Sequence, residues 1–515
     1  MAVVTDKLRI LNCSNFVKDI ENGGYYTFIG FPNSNSLYPD WDSSQPNPID
    51  NDFYLNSYRD NILGVKKITT SDVIRVIPKI TWTKGRKYEM YRHDYSIHNL
   101  TPVTSSTRLY DSSYYVMNSE YRVYICINNN SLISNSNTGN VSTQEPLHTD
   151  LSPRLESDGY IWKYLYTLSP GDVLKFDSTN YISVPNNWKT SSNSEIGRIR
   201  EAAVSGKIET VIVENNSSQY PYVGTLLSVP IKGDGSGAEA SVEFDENGRP
   251  VKVIVTNGGS GYTFATLDLE SLLLPSTGVL TSKAIFNVII PPEGGHGADI
   301  YNELGAFRAL VYSRIENSPT NPDFIIGNQF SRIGIIKGIT SFGSNDIFSD
   351  DTGSGVYAFK LNQSTVSESY DSFITQDNTN ANGTLVSFDS TTKVLRYIQP
   401  RNNNIDTYAV SNNIQIDYQF ANSSSGIQTS SNYNLNNFDR STIKVESSSY
   451  TIDTSFSNDK VDVGGVDYYL GQLFVQGLSN PDINIKSGDI LYVNNRSSVT
   501  RSSQQREDIK IILEF

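Results

Sequence analysis

The chain has 515 residues, too many for one ordinary core, so two to four domains are expected. It is 37% hydrophobic and 19% charged, with the remainder rich in Asn, Ser, Thr, Gly and Tyr; its 32 Tyr and 21 Phe exclude the aromatic-poor composition of a disordered chain. A net charge of −14, from 41 basic and 55 acidic residues, argues against nucleic-acid binding, which needs cations to displace phosphate counterions.

In chain order, the N-terminal residues carry no basic stretch followed by an apolar one, so no signal peptide is read there. A short helix is expected at Asn15 to Ile20, with Ser14 as its N-cap. Short strands follow. Tyr25-Tyr-Thr-Phe-Ile-Gly-Phe31 closes at Pro32, and Asp72-Val-Ile-Arg-Val-Ile77 closes at Pro78. Tyr121-Arg-Val-Tyr-Ile-Cys-Ile127 ends in an Asn triplet, and Ile161-Trp-Lys-Tyr-Leu-Tyr-Thr-Leu168 follows the turn pair Asp158-Gly159.

A tandem repeat comes next. Val211-Ile-Val-Glu-Asn-Asn-Ser-Ser-Gln-Tyr220 aligns with Val253-Ile-Val-Thr-Asn-Gly-Gly-Ser-Gly-Tyr262, and the 42-residue offset carries Phe244 onto Phe286. Two copies are too few for a solenoid, so a small inserted β-domain is read over about 205–290. Asp299 to Val311 has helical spacing, with Leu304, Phe307 and Leu310 on one side. From about 346 to 464 a Ser/Asn/Thr-rich stretch alternates in Thr384-Leu-Val-Ser-Phe388 and Asn413-Ile-Gln-Ile-Asp-Tyr-Gln-Phe420, which reads as a second inserted β-domain. Gly488-Asp-Ile-Leu-Tyr-Val493 and Asp508-Ile-Lys-Ile-Ile-Leu-Glu-Phe515 close the chain as strands. No run reaches the roughly 18 apolar residues of a membrane-spanning helix, so no membrane partner is expected.

Candidate chemistry is sparse. Cys13 and Cys126 could form one disulfide but are too few for a framework, and a reduced chain is the expected reading. His93 and His98 are five apart, which on a strand puts the rings on opposite faces and disfavours a metal site. His296 stands among glycines near Asp299, where a glycine-rich turn explains it without a nucleophile. Gly233-Asp-Gly-Ser-Gly-Ala238 lacks the Lys of a phosphate loop and precedes strand-like alternation, so a hairpin loop is expected. Asp346, Asp350 and Asp351 lack calcium-loop spacing. Trp41, Trp82, Trp162 and Trp188 sit near strand-like runs, which suits core packing. These readings give no catalytic, metal or cofactor site and no enzyme activity.

Several blocks together resemble the baseplate wedge family called gene product eight in T4-like phages. Val4-Thr-Asp-Lys-Leu-Arg9 looks like that family's opening strand, and Tyr26-Thr-Phe-Ile-Gly-Phe31, Ile62-Leu-Gly-Val65 and Asp72 to Trp82 are similar to the segments after it. The strongest likeness is Asp158-Gly-Tyr-Ile-Trp-Lys-Tyr-Leu-Tyr166 followed by Asn180-Tyr-Ile-Ser-Val-Pro185. Gly327 to Ile336 and Ser487 to Phe515 continue it in the same order. The likeness lies in blocks at about 1–200, 290–345 and 465–515 and is interrupted at both composition-defined insertions. It implies a mainly β fold: a β-sandwich core with short helices and two inserted β-rich domains. The resulting segments are 1–204, 205–290, 291–345, 346–464 and 465–515.

The resemblance also implies a non-enzymatic structural subunit of the virion tail baseplate, made in the host cytoplasm. Its partners would be the counterparts of gene products ten, seven and six, with a second copy of the chain as a further candidate. The glycine-rich repeat is similar to modules of marine T4-like phages and suggests a cyanobacterial host. Two other readings stay open at this point: a glycan-binding receptor protein of the tail, and a tail polysaccharide hydrolase, which would need two converging carboxylates.

Overall fold

The computed structural model describes residues 3–32, 41–192, 194–273, 283–316, 329–379, 381–399, 438–500 and 506–515. The predicted strand 413–420 lies outside them. The fold is mainly β, with several antiparallel sheets and few short helices. Two compact units are built from discontinuous chain: residues 1–17, 74–310 and 512–515 form the first, and residues 18–73 and 311–511 the second. The likeness blocks at the two ends of the chain therefore contribute to both.

In the first unit, Tyr115–Met117, Arg122–Asn128, Ile161–Thr167 and Arg154–Leu155 lie side by side in that order. They are strands because β-branched and aromatic residues suit a pleated, buried surface. The sheet is buried along most of its length. Trp162 is fully enclosed, with Tyr160 stacked on it at 5.5 Å and Tyr88 edge-on at 5.8 Å. Burying a large aromatic of this kind stabilises by roughly 2–3 kcal/mol. Short helices at Pro170–Phe176 and Glu195–Glu201 begin at Ser169 and Ser194, whose hydroxyls accept from the amides of Asp172 and Gly197.

The strand expected at Val4–Arg9 is absent, and the helix expected at Asn15 to Ile20 is present but starts nine residues earlier. It runs over Asp6–Asp19 and continues as a turn at Ile20–Asn22, so Ser14 lies inside it and is not its N-cap. Ile10, Cys13 and Val17 form its buried face, while Asp6 and Lys18 complement the helix dipole. Exposed Leu8 and Leu11 blur that spacing, and Asn12, Ser14 and Asn15 are poor helix formers. The helix expected over Asp299 to Val311 is also corrected. One turn, Ile300–Glu303, is capped by Asp299 and ends before Gly305; Arg308–Glu316 is a strand. Leu304, Phe307 and Leu310 are buried, but on a turn and a strand.

The repeat forms its own core, in which Tyr220, Tyr262 and Phe244 are buried and Phe286 packs on them. Its two copies are intertwined. The first strand of copy one, Val211–Asn215, pairs with Ile285–Val288 at the end of copy two. The first strand of copy two, Pro250–Ser260, pairs with Ser236–Phe244 at the end of copy one. Tyr220 donates its amide to Gly248 O at 2.8 Å, and Tyr262 donates its amide to Gly206 O at 3.3 Å. These two bonds are the same bond, exchanged between copies 42 residues apart.

In the second unit, one sheet runs Thr352–Ser354, Ile62–Lys67, Tyr25–Gly30, Gln329–Lys337, Asp489–Thr500. Tyr26, Phe28, Val65 and Ile336 are in its core. A second sheet has seven strands among the described residues and a core around Phe359, Leu385, Tyr397 and Ile443. A separate two-stranded hairpin, Lys460–Val463 with Val466–Tyr469, stands beside Leu470 and Phe474.

Candidate functional site

Polar and aromatic side chains of the first unit line a cleft of about 340 Å³. The helix Asp6–Asp19 places Asp6 on its rim. The loop Tyr91–Tyr95 supplies two tyrosines, Arg92 and His93, and Arg108 with Tyr110 closes the other side. Each carboxylate bordering it is held by arginine. Asp6 contacts both Arg108 and Arg9. The Arg92 fork bonds both oxygens of Asp94, at 2.9 and 2.8 Å, and reaches Glu214 at 3.0 Å. Burial pushes the Asp94 carboxyl up, but the Arg92 and Asn287 hydrogen bonds outweigh it and hold the pKa at about 2. Such a group stays ionised and donates no proton near neutrality.

Behind this cleft lies a buried polar cluster. His296 Nδ1 and Glu303 Oε1 are 2.5 Å apart, and Gly297 N donates to the other carboxylate oxygen at 2.8 Å. The Tyr91 ring meets His296 edge-on at 4.7 Å and joins the cluster to the cleft wall. Trp188 Nε1 donates to Gly297 O at 3.1 Å, tying down the same glycine-rich turn. A small cavity of about 20 Å³ opens between His296, Lys163 and Glu209. Lys163 is buried, donates to Leu151 O at 2.8 Å, and has its pKa lowered by desolvation.

Glu89 is a second buried carboxylate. It accepts from the amides of Val103, Thr104 and Ser113 and from the hydroxyls of Thr104 and Ser113. Burial raises its pKa, but the bonds from Ser113 and Thr104 bring the net shift below the ordinary value. It pins a loop to the core.

The candidate positions read from sequence are scattered. His93 and His98 are exposed and lie outside any strand; a bridge between Ser96 and Asn99 closes the turn that carries His98. No group of three His, Cys, Asp or Glu among the described residues could hold a metal. His296 sits on its glycine-rich turn, with Glu303 as partner. Asp299 instead caps the helix Ile300–Glu303 and pairs with Lys189 at 2.7 Å. His148 is in the core against Tyr124, where burial lowers its pKa. In the loop after Gly233, Asp234 accepts from the amides of Thr263 and Phe264. Asp346, Asp350 and Asp351 are exposed.

Trp41, Trp162 and Trp188 are buried, and Trp82 is half-buried with Nε1 bonded to Ser142 Oγ. Cys13 and Cys126 are both free and buried. Glu89 and Glu303 escaped the sequence reading. The available signal is a single acid inside a run of large residues, as in Tyr88-Glu-Met-Tyr91 and Ile300-Tyr-Asn-Glu-Leu304.

No family model matches the chain, and no curated protein is significantly similar to it. No helix among the described residues is long and apolar enough to cross a membrane.

Proposed function

We propose that this chain is a structural subunit of a contractile-tail baseplate wedge, of the gene product eight kind found in T4-like phages. The observation that carries the reading is the collinear likeness anchored at Asp158–Tyr166, taken with what those residues do. Asp158 accepts from Ser142 Oγ and from the amides of Thr143, Gln144 and Tyr160. Tyr160 stacks on Trp162, Tyr164 bonds Glu195 at 2.7 Å, and Tyr166 bonds Ser183 O at 3.0 Å. The motif is one of packing. That suits a protein whose work is to keep its shape while neighbours rearrange around it.

Baseplate subunits are held by many protein contacts, for which exposed tyrosines such as Tyr121, Tyr370, Tyr468 and Tyr469 offer aromatic anchors. On tail contraction this subunit would move largely as a rigid body between two sets of contacts. Its partners in the wedge would be the counterparts of gene products ten, seven and six, and its location the virion. The test is co-assembly of the purified chain with those wedge proteins. A stoichiometric complex in size-exclusion chromatography is expected; separate elution of the chain under assembly conditions would overturn the reading.

A further inference from the structure

The hairpin Lys460–Val463 with Val466–Tyr469 carries more than its own fold needs. Val463 faces Val466 across Gly464 and Gly465, whose φ values of +65° and +84° give the turn that closes two-residue hairpins. A two-stranded ribbon alone is marginally stable. Among the described residues it is anchored at its base, by Val461 against Leu470 and Phe474.

The ribbon is two-faced. Val461 opposes Tyr468 and Val463 opposes Val466 on one side; Lys460 opposes Tyr469 and Asp462 opposes Asp467 on the other. All four residues of Val466–Tyr469 are exposed, Val466 at 53%. Asp462 and Asp467 face each other directly, an unfavourable pairing of like charges. Lys460 Nζ reaches Asp467 at 2.6 Å, while Asp462 has no cation among the described residues.

The register also fixes the edge that is unpaired among the described residues. Val463 and Val466, next to the turn, exchange backbone hydrogen bonds, so the following pair does not. The Leu470 amide donating to Asp459 O continues this alternation. The N–H and C=O groups of Asp467 and Tyr469 therefore point outward. Protected edges carry lysine, proline or a bulge on such a strand, and Val466–Tyr469 has none of these.

We propose that this edge is a strand-addition site for an extended segment of another protein in which apolar residues alternate with lysine or arginine. An added strand sets alternate side chains beside Val466 and Tyr468 on one face and beside Asp467 on the other. The first places want apolar groups. At the second, the facing Asp462 and Asp467 have only Lys460 to balance them among the described residues, which favours a further cation. Main-chain bonds to Asp467 and Tyr469 supply the rest of the recognition. This goes beyond the wedge reading and stands without it.

The test is fluorescence anisotropy on the full chain with labelled synthetic peptides. One alternates valine with lysine, and the other alternates valine with glutamate. The expected result is saturable binding of the lysine peptide that weakens with salt, at least tenfold weaker binding of the glutamate peptide, and a several-fold loss in Asp467→Asn. Asp467→Pro and Tyr469→Pro each remove an outward N–H and leave the hairpin's own backbone bonds; Tyr469→Pro also leaves the Lys460–Asp467 ion pair. Each should reduce binding at least tenfold with the thermal midpoint unchanged. Absence of binding, equal binding of both peptides, or full binding by both proline variants would overturn the proposal. So would concentration-dependent self-association abolished by Asp467→Pro, which would assign the edge to a second copy of this chain.

Discussion

His296 and Glu303 are seven residues apart and joined at 2.5 Å inside the first unit, with the second carboxylate oxygen closed by the Gly297 amide. Both oxygens are thus occupied by the glycine-rich turn. Glu303 fixes that turn over the sheet in the way Glu89 fixes the loop at Thr104 and Ser113. Glu303→Ala strands two buried donors, and the expected loss is about 3 kcal/mol or more. Glu303→Gln keeps an acceptor, and about 1–2 kcal/mol is expected. Urea unfolding followed by near-ultraviolet circular dichroism measures both; equal, small losses would remove the carboxylate from this role.

The exchanged bonds of the repeat make a paired prediction. Gly206 and Gly248 have φ of +65° and +73°, and a Cβ there would lie 2.2 Å from Tyr262 N and 2.1 Å from Tyr220 O. Gly206→Ala and Gly248→Ala are each expected to cost about 2 kcal/mol or more, through strain and collision together. Gly224 has φ of +92° with open space around it, so Gly224→Ala should cost only about 1–2 kcal/mol. Thermal midpoints of the three variants check the order.

Acid should weaken the cleft. Asp94 has a folded pKa of about 2, below the roughly 3.9 of an unfolded chain. A depressed carboxylate gives stability that is complete above the unfolded value and is lost as pH falls toward 2. The contribution at neutral pH is about 2 kcal/mol. Asp94→Asn should lower stability at pH 7 and flatten its dependence between pH 5 and 2; an unchanged slope would detach Asp94 from acid sensitivity.

Burial raises the Cys13 thiol to about 12 and pushes Cys126 well above its ordinary value. The thiolate is the reactive form, so neither should react with a disulfide reagent at pH 8 in the folded chain, and both should react in denaturant. Rapid reaction of either in the native protein would contradict their placement.

The mainly β character was legible because strands such as Arg122–Asn128 and Ile161–Thr167 concentrate β-branched and aromatic residues between turn signals. The start of the opening helix was hidden because exposed Leu8 and Leu11 break the spacing set by Ile10, Cys13 and Val17. The one-turn helix at Ile300 was overextended because Leu304, Phe307 and Leu310 keep helical spacing while tertiary packing makes the last of them strand. The cleft was least legible. Arg92, Arg108, Asp6 and Glu214 are up to 208 residues apart in sequence, and only the fold brings them together. The repeat showed its strands and tyrosines in sequence, but the reciprocal partnership of Gly206 and Gly248 needed the pairing.

If the wedge proposal holds, the chain's place is tested most directly by a density map of the intact tail tip of the phage proposed to encode it. The account predicts density for the chain repeated six-fold around the tail axis, between hub and peripheral fibres, with the sheet carrying Trp162 preserved before and after contraction. Density for the chain only at fibre tips, or its absence from the tail, would contradict it.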